Sequence, residues 1–162
     1  MSNQTKIHSA LAEAMSARSY ITLTPVQEAI LKIEDAKSDL LVSAQTGSGK
    51  TLAFGISIAS TLLAEKMEFD RPKIPLAIII APTRELSLQV RKELEWLYVR
   101  TKAQFASCVW GMDPRAERRT LESGAHIVVG TPGRIRDHIE RGVLRLSDIK
   151  AVVLDEADEM LD

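Results

Sequence analysis

The stretch Leu40-Leu41-Val42-Ser43-Ala44-Gln45-Thr46-Gly47-Ser48-Gly49-Lys50-Thr51 decides the fold of this 162-residue chain. A short apolar run, Leu40 to Ser43, gives way to a glycine-rich octapeptide, and an apolar helical period follows through Leu63. The order strand, loop, helix is what a phosphate-binding P-loop requires: glycines let the backbone curl until N–H groups and the helix N-terminus face an anion. In such a loop Thr46, Gly47, Ser48 and Gly49 form the cradle, Lys50 reaches the β- and γ-phosphates, and the Thr51 hydroxyl binds Mg²⁺. Ala44 stands where the general pattern begins with glycine, a position that a small residue fills if its φ stays negative. A glycine-rich turn with an exposed lysine accounts for the octapeptide alone, but not for its setting between a strand and a helix.

Working outward, periods of two and of 3.6 alternate. Ile7, Ala10, Leu11, Ala14 and Met15 share one helical face, and Thr24-Pro25-Val26-Gln27 opens a second helix with an N-cap, a proline at the first position and a glutamine three residues after the cap. Downstream, Leu76–Ala81 reads as a buried strand and 84–98 as a helix with Leu86, Val90, Leu94 and Leu97 inward. Further strands are expected over 104–110, 127–129 and 151–154, with helices over about 114–122 and 132–140. Strands separated by helices predict an α/β fold: a mostly parallel sheet, helices on both faces, and ligands at the carboxyl ends of the strands.

Composition narrows the functional classes. The chain is long enough for one core and too short for two ordinary domains. Its 21 Lys and Arg against 22 Asp and Glu exclude a strongly cationic arm, but the balance is segregated: residues 84–150 carry thirteen cations and nine anions, and residues 151–162 five acids and no base. A single cysteine, Cys108, forms no internal disulfide, the longest apolar run is far below the ~20 residues that span a bilayer, and no signal-peptide pattern opens the chain. A cytoplasmic setting is expected.

The carboxylates that a P-loop enzyme needs follow the strand at 151–154. Asp155 can hold Mg²⁺ through its water shell, and Glu156 can orient and deprotonate an attacking water. Asp155, Glu156, Asp158 and Glu159 could also be the acidic first turn of a helix, favoured by its dipole; the P-loop about a hundred residues upstream favours catalysis.

Asp155-Glu156-Ala157-Asp158 spells DEAD, and with the motifs around it the chain resembles the first RecA-like domain of DEAD-box RNA helicases over essentially its whole length. The resemblance implies ATP and Mg²⁺ as cofactors, RNA as partner and Lys50, Asp155 and Glu156 as catalytic residues. Tyr20, Thr24 and Gln27 look like the family's adenine-reading Q motif, and an amide's donor and acceptor can match adenine N6 and N7. The same Gln27 could instead complete a capping box. Pro82-Thr83-Arg84 and Thr131-Pro132-Gly133-Arg134 are similar to the motifs that hold the RNA backbone without reading sequence, and Gly111 is carried over with them. Ordinary solvated charge would equally explain either arginine alone.

Departures from the pattern are visible. Trp110-Gly111-Met112-Asp113 stands where the family usually has a Gly-Gly pair, the upstream aromatic would fall near Ser2, and Ser19 replaces a frequent glycine. Trp96, Trp110 and Cys108 read as packing residues, and His8, His126 and His138 show no metal spacing.

The resemblance also implies elements beyond Asp162: a strand leading to a Ser-Ala-Thr motif, and a second RecA-like domain supplying an arginine finger. Residues 1–162 are therefore expected to form an incomplete domain, with little turnover alone, a sheet interrupted beside Asp155, and exposed Val152 and Leu154. Strand exchange or a dimer could fill the gap. Two alternatives stay open: a nucleotide- or RNA-binding module without turnover, and a P-loop ATPase acting on DNA.

Overall fold

The computed structural model describes residues 7–33 and 38–161; the Ser2 position lies outside them. Helices α1 (Ser9–Ala17) and α2 (Pro25–Leu31) precede the P-loop, and α3 (Lys50–Leu63) follows it. The chain then alternates as β1 (Ala77–Ile80), α4 (Arg84–Leu97), β2 (Phe105–Cys108), α5 (Pro114–Ser123), β3 (Ile127–Gly130), α6 (Pro132–Glu140) and β4 (Ala151–Leu154), closing with a 3₁₀ turn at Ala157–Met160.

The four strands are all parallel, in the order β2-β3-β1-β4, with Ile78 opposite Val128 on one side and Val152 on the other. Strand alternation sends successive residues to two cores. Ala77, Ile79, Ile127 and Val129 meet the apolar faces of α1, α3 and α4, including Leu11, Ile56, Leu94 and Leu97. Ile78, Val128, Ala106 and Cys108 meet Leu121 of α5, Ile135 of α6 and Leu144. The buried Tyr98 ties the first core together, its hydroxyl donating to Gly55 O at 2.6 Å. Helices thus cover both faces, as the alternation predicts.

One expected strand is absent. Leu40–Ser43 is irregular rather than extended in the sheet, and Leu41 is 99% exposed. A strand exists only through its ladder partners, and neither edge of the sheet, β2 or β4, pairs with it. The sheet is not split; among the described residues it runs unbroken from β2 to β4, which forms one edge. On that edge Ala151 and Val153 pack inward, whereas Val152 and Leu154 are 58% and 57% exposed, as anticipated. No helix among the described residues is long and apolar enough to cross a membrane.

Candidate active site

Loops at the carboxyl ends of the strands bring the acidic motif to the P-loop. Gly47 and Gly49 adopt φ values of 78° and 84°, a left-handed backbone open to glycine at little cost. They turn the chain so that α3 begins at Lys50, and Ser48 N–H donates to Gln45 O at 3.1 Å. Lys50 Nζ then reaches Glu156 Oε1 at 3.1 Å, an ion pair that is only partly exposed. Glu156 itself sits at φ 51°, ψ 49°, a conformation that strains a residue with a Cβ. Asp155 is buried behind it. Burial, then the neighbouring Glu156 charge, push the Asp155 carboxyl above the ordinary carboxylate range; Lys50 and the Glu156 N–H pull the other way.

This arrangement fits a nucleotide with a divalent cation. Ser48 Oγ is enclosed without a hydrogen-bond partner, which costs about 1–3 kcal/mol unless a ligand oxygen meets it. The buried Asp155 is short of positive charge, a deficit a metal ion would fill. Beside the loop, an open cleft of about 720 Å³ runs between α2 and the P-loop, lined by Pro25, Val26, Ile30, Ser43 and Gly47.

Gln27 is buried and its amide is fully engaged. Its Oε1 accepts from Thr24 N at 3.0 Å, and its Nε2 donates to Gly49 O and to Tyr20 Oη, both at 3.1 Å. The glutamine therefore both caps α2 and braces the P-loop. Gly49 has no room for a side chain, since an added Cβ would lie 2.5 Å from Gln27 Nε2.

A second group of motif residues gathers beyond β1, β2 and β3. Thr83 caps α4, its hydroxyl accepting from Leu86 N at 3.2 Å, and Arg84 is exposed. Arg84 Nη1 donates to Trp110 O at 3.2 Å, and Gly111 (φ 85°) leaves space for that guanidinium, which an added Cβ would strike. Thr131 stands at the N-cap position of α6, but its buried hydroxyl makes no capping bond and has no partner; Pro132 and Gly133 are exposed. Arg134 is buried: it pairs with Glu117 Oε1 at 3.2 Å, donates to Met112 O at 3.2 Å and lies 4.6 Å from the centre of the Trp110 ring.

Glu117 and Trp110 here escape sequence reasoning. Glu117, on a helix that reads as polar and solvated, is buried and accepts from Val109 N and His138 Nε2, both at 2.9 Å. The i, i+4 spacing of Arg134 and His138 was the available signal, since it puts both on one face of α6. Cys108 lies beside Glu117 and His138, the sulfur, carboxylate and ring-nitrogen atoms within 4.8 Å of one another, and burial, then the Glu117 charge, push its thiol up to about 12. Trp110 corrects an expectation outright: it is 61% exposed and not a packing residue.

A family model for the DEAD/DEAH box helicases matches residues 24–162. The chain belongs to the DEAD/DEAH box helicase family. It is 45% identical over 152 residues to DEAD-box ATP-dependent RNA helicase 53 of Oryza sativa, covering 93% of this chain and 25% of that protein. It is 42% identical to the DEAD-box ATP-dependent RNA helicase CshA of Bacillus licheniformis, over 97% of this chain and 31% of that one. The crystal structure of a DEAD box protein from Methanococcus jannaschii superposes with a TM-score of 0.83 at 36% identity, covering 98% of this chain and 42% of its own. The chain thus spans about a quarter to a third of the curated relatives it matches. The family's RecA-like fold accounts for the parallel sheet, the P-loop before α3 and the DEAD tetrapeptide after β4.

Proposed function

We propose that this chain supplies the ATP- and RNA-binding first RecA-like domain of an ATP-dependent RNA helicase, which couples ATP hydrolysis to separation of short duplexes. The carrying observation is the meeting of Lys50 and Glu156, 106 residues apart, at the mouth of the P-loop with Asp155 behind them. Lys50 is placed to exchange Glu156 for phosphate oxygens, which frees Glu156 to orient a water and accept its proton. Thr51 and Asp155 would hold Mg²⁺, which supplies charge neutralisation to the phosphates. Tyr20, Thr24 and Gln27 support the adenine side, Gln27 by exchanging its Tyr20 bond for the base edge and keeping Gly49 in place.

On the other side, exposed Thr83, Arg84, Pro132 and Gly133, with Gly111 and the N-termini of α4 and α6, support sequence-independent contact with the RNA backbone. Arg134, engaged internally, positions the loop that Gly111 belongs to. A second RecA-like domain would complete the ATP site with its arginine, and the free edge of β4 is where a further strand, of this polypeptide or a second copy, would add. The single buried cysteine suits a cytoplasmic setting.

Binding of a fluorescent ATP analogue with Mg²⁺ tests the site: Lys50→Ala should weaken it at least tenfold. With the second domain joined, phosphate release should rise on adding RNA, and Glu156→Gln should abolish that rise. Equal stimulation by DNA of matched length would transfer the substrate to DNA; nucleotide binding without any release would make the chain a binding module. Activity indifferent to both substitutions would overturn the reading.

A further inference from the structure

Among the exposed large apolar residues described, Trp110 is the only aromatic one. Isolated exposed apolar side chains are common and need no explanation, but this one stands at the carboxyl end of β2, among the residues assigned to RNA, and it is held there. Arg134 lies against one face of the indole at 4.6 Å from its centre, and Glu117 in turn fixes Arg134. The ring also abuts the backbone of Gly133, where an added Cβ would lie 3.2 Å from Trp110 Nε1. Arg84 grips the Trp110 carbonyl and Arg134 the Met112 carbonyl, so the loop that carries the ring is tied at two points. Nearby, the Thr131 hydroxyl is buried without a partner.

We propose that Trp110 is a stacking platform for an unpaired RNA base, adding a base contact to the backbone contacts of the loops around it. The inference rests on the RNA reading given above. An indole already fixed by a guanidinium and a glycine backbone loses little freedom when a base lands on it, and the cation polarises the ring from below. Stacking is tolerant of sequence because every base has a π-face. The contact therefore makes binding depend on the presence of a base, with larger purines favoured, and specifies no letter. Arg84 is exposed, and a guanidinium with one N–H on the Trp110 carbonyl keeps others for the adjoining phosphate.

With two tryptophans in the chain, Trp96→Phe leaves Trp110 as the sole indole. The test titrates that variant with a ten-nucleotide oligoadenylate and with an abasic oligomer of equal length and charge, reading indole emission and, by anisotropy of a labelled oligomer, affinity. Stacking predicts quenching by oligoadenylate and none by the abasic strand. Trp110→Ala should weaken oligoadenylate binding about 5- to 150-fold with abasic affinity within about twofold, and Trp110→Phe should restore most of the loss. If both oligomers bind equally and quench equally, the RNA reading survives and Trp110 is no platform. If neither binds, the RNA reading falls and this inference falls with it. Should Trp110→Ala fail to fold by circular dichroism, the emission contrast between the two oligomers still decides.

Discussion

Asp155 illustrates how a single residue can be kept at the expense of the fold that carries it. Its carboxyl is pushed above the ordinary range because it is buried, with Glu156 beside it and only Lys50 opposing. Between the ordinary value of 3.8 and the raised one, the folded chain binds more protons than the unfolded chain, so stability falls as pH rises through that window. Above it the full destabilisation remains. Asp155→Asn removes the charge and keeps the shape. In buffer with chelator, it should raise the thermal midpoint by about 2 °C at neutral pH, the gain vanishing below about pH 4, where the Asp155 carboxyl is protonated in the folded and the unfolded chain alike. A midpoint that falls at neutral pH, followed by circular dichroism, would mean that Asp155 has stabilising partners outweighing its burial. The same residue could be named from its tetrapeptide, but not its burial or its titration, which depend on where β4 ends against the P-loop.

At the level of elements, α5 and α6 are joined by charge as well as by apolar packing. Glu117 accepts from Val109 N and His138 and forms an ion pair with Arg134, and all of these groups are buried. Removing a carboxylate so placed leaves the buried Arg134 guanidinium without its counter-charge and the Val109 amide without an acceptor, a loss of about 3 kcal/mol. Glu117→Ala should therefore lower the thermal midpoint by about 10 °C, and Glu117→Gln, which keeps the shape and an acceptor, by clearly less. Equal loss in both would place the effect in the charge alone. The sequence showed both helices as segments opened by Pro114 and Pro132 between apolar runs, and strands 127–129 and 151–154 as β-branched runs bounded by turns. It could not show the Glu117 network, since a buried carboxylate and a solvated one are spelled alike, and only the packing of α5 against α6 separates them.

Across the whole molecule the decisive feature is the sheet's edge. Leu40–Ser43 has the composition of a strand and lies outside the sheet, because composition supplies a tendency and the ladder supplies the structure. The P-loop is legible from its own letters, since glycine positions and a following helix N-terminus are local features; pairing is not, since it depends on which edge is open. On β4 the two faces now differ in kind. Val153 packs into the core formed with α3 and α4, whereas Val152 and Leu154 face outward, more than half exposed. Substituting a residue already in water costs little, about 0.5 kcal/mol or less, while a charge driven into the core costs several. The double variant Val152→Lys, Leu154→Lys should thus keep the wild-type thermal midpoint to within about 2 °C, and Val153→Lys should unfold the chain. An apolar edge strand is also a template for pairing with another chain, so the wild type should sediment with a concentration-dependent mass in analytical ultracentrifugation and the double-lysine variant as a monomer at every concentration. A double-lysine variant that melts as early as Val153→Lys would show that this face is covered in solution and that the sheet continues past β4.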